Sequence, residues 1–226
     1  MARIVLFDID GTLVRTGGAG TRAMNRTFDE LFGCARAFDD IPMAGRTDRR
    51  ILEDAAARAG LALDERLVQR FRTRYVECLQ EALPEPGYQK SVMPGVRPLL
   101  DALRVRANVF VALLTGNSEH GARIKLEHFD LWRYFRCGAF GDDVRDRNDL
   151  FAVAMKRVSA CGVPEVGPQD VIVVGDTAFD VACAAAAGAR SVAVATGPSD
   201  VDSLRKSGAD VVMEDLSDTA AFVRLV

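Results

Sequence analysis

The chain has 226 residues, a formal net charge of −3, 49 % hydrophobic residues and 27 % charged residues. That length suits one large domain, or one domain with a small insert, and the composition is ordinary for a globular fold. Basic residues form no stripe, which argues against a nucleic-acid partner, and no apolar run reaches the ~18 residues of a membrane span.

The first apolar run, residues 3–9, reads as a buried strand. It is followed by a stretch from about Val14 to Tyr88 with no convincing strand. Apolar residues at helical spacing mark three helices there. Residues 21–32 place Met24, Phe28 and Leu31 on one face. Residues 47–59 are Ala-rich, and residues 64–83 carry Leu67, Phe71, Tyr75, Leu79 and Leu83 at every fourth position. Pro84-Glu85-Pro86-Gly87 ends the last helix. Gly17-Gly18-Ala19-Gly20 lacks the spacing of a nucleotide loop and reads as a hinge into this helical block.

Strands and helices then alternate. Runs at 109–114, 171–174, 191–195 and 210–213 read as strands. Helices are expected at 95–103, 119–129, 149–161 and 179–187, the last closed by Gly188. This alternation predicts an α/β fold with a doubly wound, Rossmann-like parallel sheet and an inserted helical block. The five cysteines are widely spaced, odd in number and without a CxxC pair, and there are only two histidines, His120 and His128. A disulfide framework and a zinc site are therefore not expected, and a reducing cytoplasm is. The cysteines read as buried fillers, and the histidines as surface or packing residues. The N-terminal run is short and carries Asp8 and Asp10, so it is neither a signal peptide nor a span.

In open parallel sheets, ligands bind beyond the carboxyl ends of the strands. Asp8-Ile9-Asp10-Gly11-Thr12 follows the first run, Thr115-Gly116-Asn117 the second, and Gly175-Asp176-Thr177, with Asp180, the third. Asp8 and Asp10 share a side in an extended chain and repel unless a cation lies between them. An all-oxygen set suits a hard ion, and Mg²⁺ is the usual one beside phosphate. Asp176 would add a third oxygen, and Asp180 lies one helical turn on, where it could also be a first-turn acid beside the helix dipole. A carboxylate can be a nucleophile toward phosphorus, and a second one can be the general acid and base. Asp8 and Asp10 fit those roles. The Thr115 hydroxyl and the N–H groups of Gly116 and Asn117 are candidate donors to phosphoryl oxygens. A fixed cation is also needed. Arg147 is the first candidate, with Lys125 and Lys156 as alternatives. Lys156 lies within a helical pattern and reads as part of a solvated face.

These residues resemble the haloacid dehalogenase superfamily in its phosphatase branch. The first motif is FDIDGTL (7–13), the second LLTGN (113–117) and the fourth VGDTAFD (174–180). The resemblance runs along the whole chain and implies an α/β core of residues 1–14 and 90–226, with a helical cap of residues 15–89. It implies that Asp8 is the nucleophile and a metal ligand. Asp10 is the acid/base, its carbonyl also touching the metal, and Thr115 binds phosphate. Asp176 and Asp180 complete a Mg²⁺ site. The third motif departs from the family's usual Lys-Pro and reads Asp146-Arg147-Asn148-Asp149. In the cap, Ala44-Gly45-Arg46-Thr47-Asp48 is either a helix N-cap or a substrate-selecting loop in which Arg46 meets an acidic group on the substrate. The expected activity is hydrolysis of a small phosphorylated metabolite, phosphoglycolate first. The alternatives are a phosphomutase of the β-phosphoglucomutase kind and a non-catalytic phospho-ligand-binding module.

Overall fold

The computed structural model describes residues 3–226. Strand β1 (Arg3–Phe7) is apolar and buried from Ile4 onward and lies inside a six-stranded sheet. Its neighbours are β4 (Val109–Leu114) and β6 (Val171–Gly175), both parallel to it. The sheet extends to β5 (Gly138–Ala139) on one side and to β7 (Arg190–Val194) and β8 (Val211–Met213) on the other, every pair parallel. The order β5-β4-β1-β6-β7-β8 confirms the doubly wound α/β fold.

Side-chain alternation in β1 builds two cores. Val5 and Phe7 join Leu99, Leu103 and Leu126 on one face of the sheet. These come from helices α4 (Val96–Arg104) and α5 (Glu119–His128). Ile4 and Leu6 join Phe151, Ala154 and Ala184 on the other face, from α6 (Leu150–Ala160) and α7 (Ala178–Ala187). Short helices α8 (Val201–Lys206) and α9 (Thr219–Val223) flank the last strands.

Helices α1 (Ala19–Phe32), α2 (Asp48–Arg58) and α3 (Glu65–Ala82) form the inserted block. They have their own apolar cluster, in which Met24, Phe28, Phe71, Tyr75 and Leu79 are all buried. The block leaves and rejoins the sheet through a small antiparallel ribbon, β2 (Val14–Arg15) with β3 (Ser91–Val92). Sequence periodicity overlooks this ribbon, because two residues carry no alternation. It also overlooks the equally short β5, and α8 and α9, each of which spans less than two helical turns. The first run ends as a strand at Phe7 and not at Ile9, although the Asp8 N–H still bonds the neighbouring strand β6. Two cysteines are buried and three half-buried, so the filler reading holds for Cys78 and Cys183 alone. Among the described residues, no helix is long and apolar enough to cross a membrane.

Candidate active site

Because β4, β1 and β6 are neighbours, the segments leaving their carboxyl ends converge. Asp8 is the first residue past β1, and its N–H donates to the Val174 carbonyl at 2.9 Å. The chain then turns so tightly that the N–H groups of Thr12, Leu13 and Val14 all reach the Ile9 carbonyl, at 3.3, 2.8 and 3.0 Å. Gly11 takes φ +80° in this turn, a conformation that favours glycine. The turn brings the Thr12 hydroxyl to Asp176, where it donates to Oδ1 at 3.0 Å. A Cβ at Gly11 would lie 2.4 Å from Asp176 Oδ2, and one at Gly197 only 1.7 Å away. The Asp176 carboxylate therefore occupies space that two missing side chains leave open.

Thr177 and Asp180 form a capping box at the start of α7. Asp180 Oδ2 accepts from the Thr177 N–H at 3.1 Å and from its hydroxyl at 2.7 Å. Its other oxygen accepts from Arg147. Both readings of Asp180 thus apply to one side chain: it caps a helix and faces the site. Asp8, Asp176 and Asp180 each place one oxygen within 4.8 Å of the others.

Arg147 opens a short 3₁₀ turn (Arg147–Asp149), capped by the Asp146 carboxylate on the Asn148 N–H at 2.9 Å. Its Nη2 lies 3.2 Å from Asp8 as well as bonding Asp180. Arg147 is the candidate cation that the structure brings to Asp8. Lys156 is exposed on α6, as a solvated face requires. Three buried carboxylates and one guanidinium leave an excess of two negative charges, which one divalent cation would balance. The donors are all oxygens, as a hard cation requires, so the residues present fit Mg²⁺.

Burial pushes the Asp8 carboxyl up to about 6, even though Arg147 draws it down. Asp180 adds to the rise, while Thr115 and the Ile9 N–H oppose it. Burial, then Asp8 and Asp180, push Asp176 up to about 8. For Arg147, burial works against the charge, but Asp180 and Asp8 more than offset it, and its pKa is raised.

Asp10 departs from the extended-chain expectation. The turn at Ile9 sends its carboxylate away from the acidic cluster, toward α5. There Oδ2 accepts from Lys125 Nζ at 2.6 Å and from Asn117 Nδ2 at 2.9 Å. Asn117 also donates from Nδ2 to the Thr115 hydroxyl oxygen at 2.9 Å and accepts from Lys125 at 2.6 Å. The Asn117 side chain thus binds its neighbours. Its N–H, expected to face phosphoryl oxygens, reaches Thr115 Oγ at 3.3 Å.

A cavity of about 270 Å³ lies over these groups, between the sheet edge and the helical block. The block contributes Thr21, Met24, Met43, Ile51, Asp48 and Tyr75. Residues 44–48 lie directly on the second motif. The Asp48 N–H donates to the Gly116 carbonyl at 2.8 Å, and the Ser118 N–H donates back to Asp48 Oδ2 at 2.8 Å. A Cβ at Gly116 would lie 2.0 Å from the Arg46 carbonyl oxygen, so glycine is what allows this approach. Thr47 is the N-cap of α2, accepting from the Arg50 N–H at 3.2 Å. Arg46 lines the cavity, but its guanidinium bonds Asp54 and donates to the Pro42 carbonyl at 2.9 Å. Burial pushes the Asp48 carboxyl up to about 6, and the Lys125 charge draws it back. Sequence reasoning named Asp48 only as part of the 44–48 cap or loop segment, without its contact to the second motif, and missed Thr12 and Gly197 as site residues. The only signal for Thr12 was its place inside the first motif.

A family model described as haloacid dehalogenase-like hydrolase matches residues 5–194. The chain belongs to that family and is a hydrolase of its phosphatase branch. It is 30 % identical over 222 residues to a phosphoglycolate phosphatase of Chromobacterium violaceum, covering 96 % of this chain and 94 % of that one. It is 27 % identical over 229 residues to a phosphoglycolate phosphatase of Agrobacterium fabrum, covering 100 % of this chain and 95 % of the relative. Its fold matches the crystal structure of a predicted phosphoglycolate phosphatase from Haemophilus somnus 129pt with a TM-score of 0.71, at 19 % identity and 98 % coverage of both chains.

Proposed function

We propose that this chain hydrolyses a small phosphomonoester through an aspartyl-phosphate on Asp8, with Mg²⁺ as cofactor. The observation that carries the reading is the buried cluster of Asp8, Asp176 and Asp180 with Arg147, beneath a cavity at the carboxyl edge of the sheet. Asp8, Asp176 and the backbone carbonyl of Asp10 would hold the ion, with Asp180 supporting them. When bound, it supplies the positive charge that lets a phosphoryl dianion approach these carboxylates.

A carboxylate oxygen of Asp8 attacks phosphorus in line as the bond to the leaving oxygen breaks. The electron pair goes to that oxygen, and Asp10 gives it a proton. The alcohol departs. Water then attacks the phosphoryl group, Asp10 takes its proton, and the bond from phosphorus to Asp8 breaks. Arg147 and the Thr115 hydroxyl offset negative charge on the phosphoryl oxygens, helped by the N–H group of Gly116, while Asn117, whose N–H bonds Thr115 Oγ, holds that hydroxyl in place. Residues 1–14 and 90–226 act as the core, and 15–89 as the cap that excludes water and selects the ester.

Phosphoglycolate is the first ester to assay, since the relatives carry that name. Its carboxylate would have to draw Arg46 away from Asp54. The natural site of action proposed is the cytoplasm. The test is phosphate release from p-nitrophenyl phosphate with Mg²⁺ or EDTA, for the native chain and for Asp8→Asn. Release is expected to require both the ion and Asp8. Undiminished release by Asp8→Asn would remove the proposal.

A further inference from the structure

We infer that Lys125 is a positioning residue for the acid/base step, holding Asp10 by one oxygen so that the other meets the leaving group. The inference rests on the mechanism proposed above.

Lys125 lies in the second half of α5 and is only 4 % exposed. An isolated lysine rarely stays buried, because desolvating the ammonium costs several kcal/mol in order of magnitude unless acceptors compensate. Here Nζ has two acceptors, Asp10 Oδ2 and Asn117 Oδ1, both at 2.6 Å. The helical block packs against it. A Cβ added at Gly20 of α1 would lie 3.6 Å from Nζ. Lys125 is therefore enclosed from the cap side while its charge is directed into the core.

Asp10 needs such a hold. It lies on a turn, and its side chain is 43 % exposed, so local packing alone does not fix its rotamer. Lys125 and Asn117 both donate to Oδ2. Asn117 is itself fixed by Thr115, which ties Asp10 to the residue beside the nucleophile. With Oδ2 held, Oδ1 is the oxygen that carries the proton to the leaving group and later takes one from water. Arg147 already meets Asp8, so Lys125 is not required as the cation of the phosphoryl pocket.

The two roles differ in which substrates they affect. A good leaving group such as p-nitrophenolate needs little help from an acid, whereas an alkoxide needs a proton. A lysine that binds the phosphoryl group would matter equally for both. The experiment compares kcat/KM for p-nitrophenyl phosphate and for ethyl phosphate, whose leaving group carries no charge for Lys125 to bind. It uses the native chain, Lys125→Met, Lys125→Gln, Asp10→Asn and the double variant Lys125→Met/Asp10→Asn. Both Lys125 variants are expected to lose on the order of a hundredfold on ethyl phosphate. The loss on p-nitrophenyl phosphate should be less than about tenfold, and that retained activity also reports that the variants fold. Adding Lys125→Met to Asp10→Asn should cost nothing further on ethyl phosphate, because both changes remove the same step. Equal losses on the two esters, no loss on either, or additive losses in the double variant would each overturn the inference. Persistent release by Asp8→Asn would instead overturn the mechanism on which it rests.

Discussion

Arg147 Nη2 lies 3.2 Å from the Asp8 carboxylate, and both side chains are almost shut off from water, at 6 % and 8 % exposed. A neighbouring positive charge favours the ionised carboxylate at such a depth, and the Thr115 and Ile9 hydrogen bonds act in the same direction. The same guanidinium bonds Asp180. A single nitrogen, Nη2, therefore meets two carboxylates.

Arg147→Lys is expected to lower kcat by about tenfold or more, and Arg147→Met by on the order of 10²–10³-fold. Removing one partner from a buried ion pair typically costs about 3–5 kcal/mol. Arg147→Met should therefore also unfold at clearly lower urea in EDTA. Unchanged kcat in both variants would assign the cation role elsewhere.

The carboxylates make metal-free stability depend on pH in a defined direction. Folding raises Asp176 to about 8 and Asp8 and Asp48 to about 6, from a usual 3.8. Between those values the native chain binds more protons than the unfolded chain. Its stability is fully present below the unfolded value and is lost as pH rises through about 6 and then about 8. The unfolding midpoint in EDTA should fall as pH rises across that window. Added Mg²⁺ should restore it most at the alkaline end, where the carboxylates are ionised. A midpoint in EDTA that rises with pH would contradict this electrostatic account.

Gly197→Ala tests the cradle of Asp176. The new Cβ would lie 1.7 Å from Oδ2, so the carboxylate must swing away. The Mg²⁺ concentration for half-maximal activity should rise by roughly 10–100-fold, the usual effect of disturbing groups that support a metal ligand. Circular dichroism should report an unchanged fold. An unaltered Mg²⁺ dependence would separate Asp176 from the metal.

The paired bonds between Asp48 and the Gly116–Ser118 segment hold the cap on the core. Asp48→Ala leaves the Ser118 N–H without its acceptor, a loss of ~1–3 kcal/mol. Hydrogen exchange should accelerate at residues 44–48 and 116–118 together, and Asp48→Asn, which keeps an oxygen, should exchange more nearly like the native chain. Acceleration on one side only would mean that the two segments open independently.

Much of this site could be read from residue order, because parallel strands place their carboxyl ends on one edge whatever the side chains do. That rule located Asp8, Thr115 and Asp176 from the apolar runs before them. The charge requirement of a phosphoryl site then pointed to Arg147. The contact of Asp48 with the second motif was hidden for a physical reason: it depends on how an inserted helical block docks, which no local periodicity encodes. Lys125 stood out only as a possible rival cation, since its contact with Asp10 spans 115 positions and depends on the turn at Ile9. Asp10 was misdirected by assuming an extended chain through a segment that Gly11 bends.

The central claim is that phosphate passes through Asp8. The most direct measurement is rapid acid quench during turnover of p-nitrophenyl phosphate, followed by peptide mass analysis. The account predicts one added phosphoryl group on the peptide containing Asp8, present with Mg²⁺ and lost in Asp8→Asn and in EDTA. Steady phosphate release with no modified Asp8 at any quench time, and undiminished release by Asp8→Asn, would contradict it.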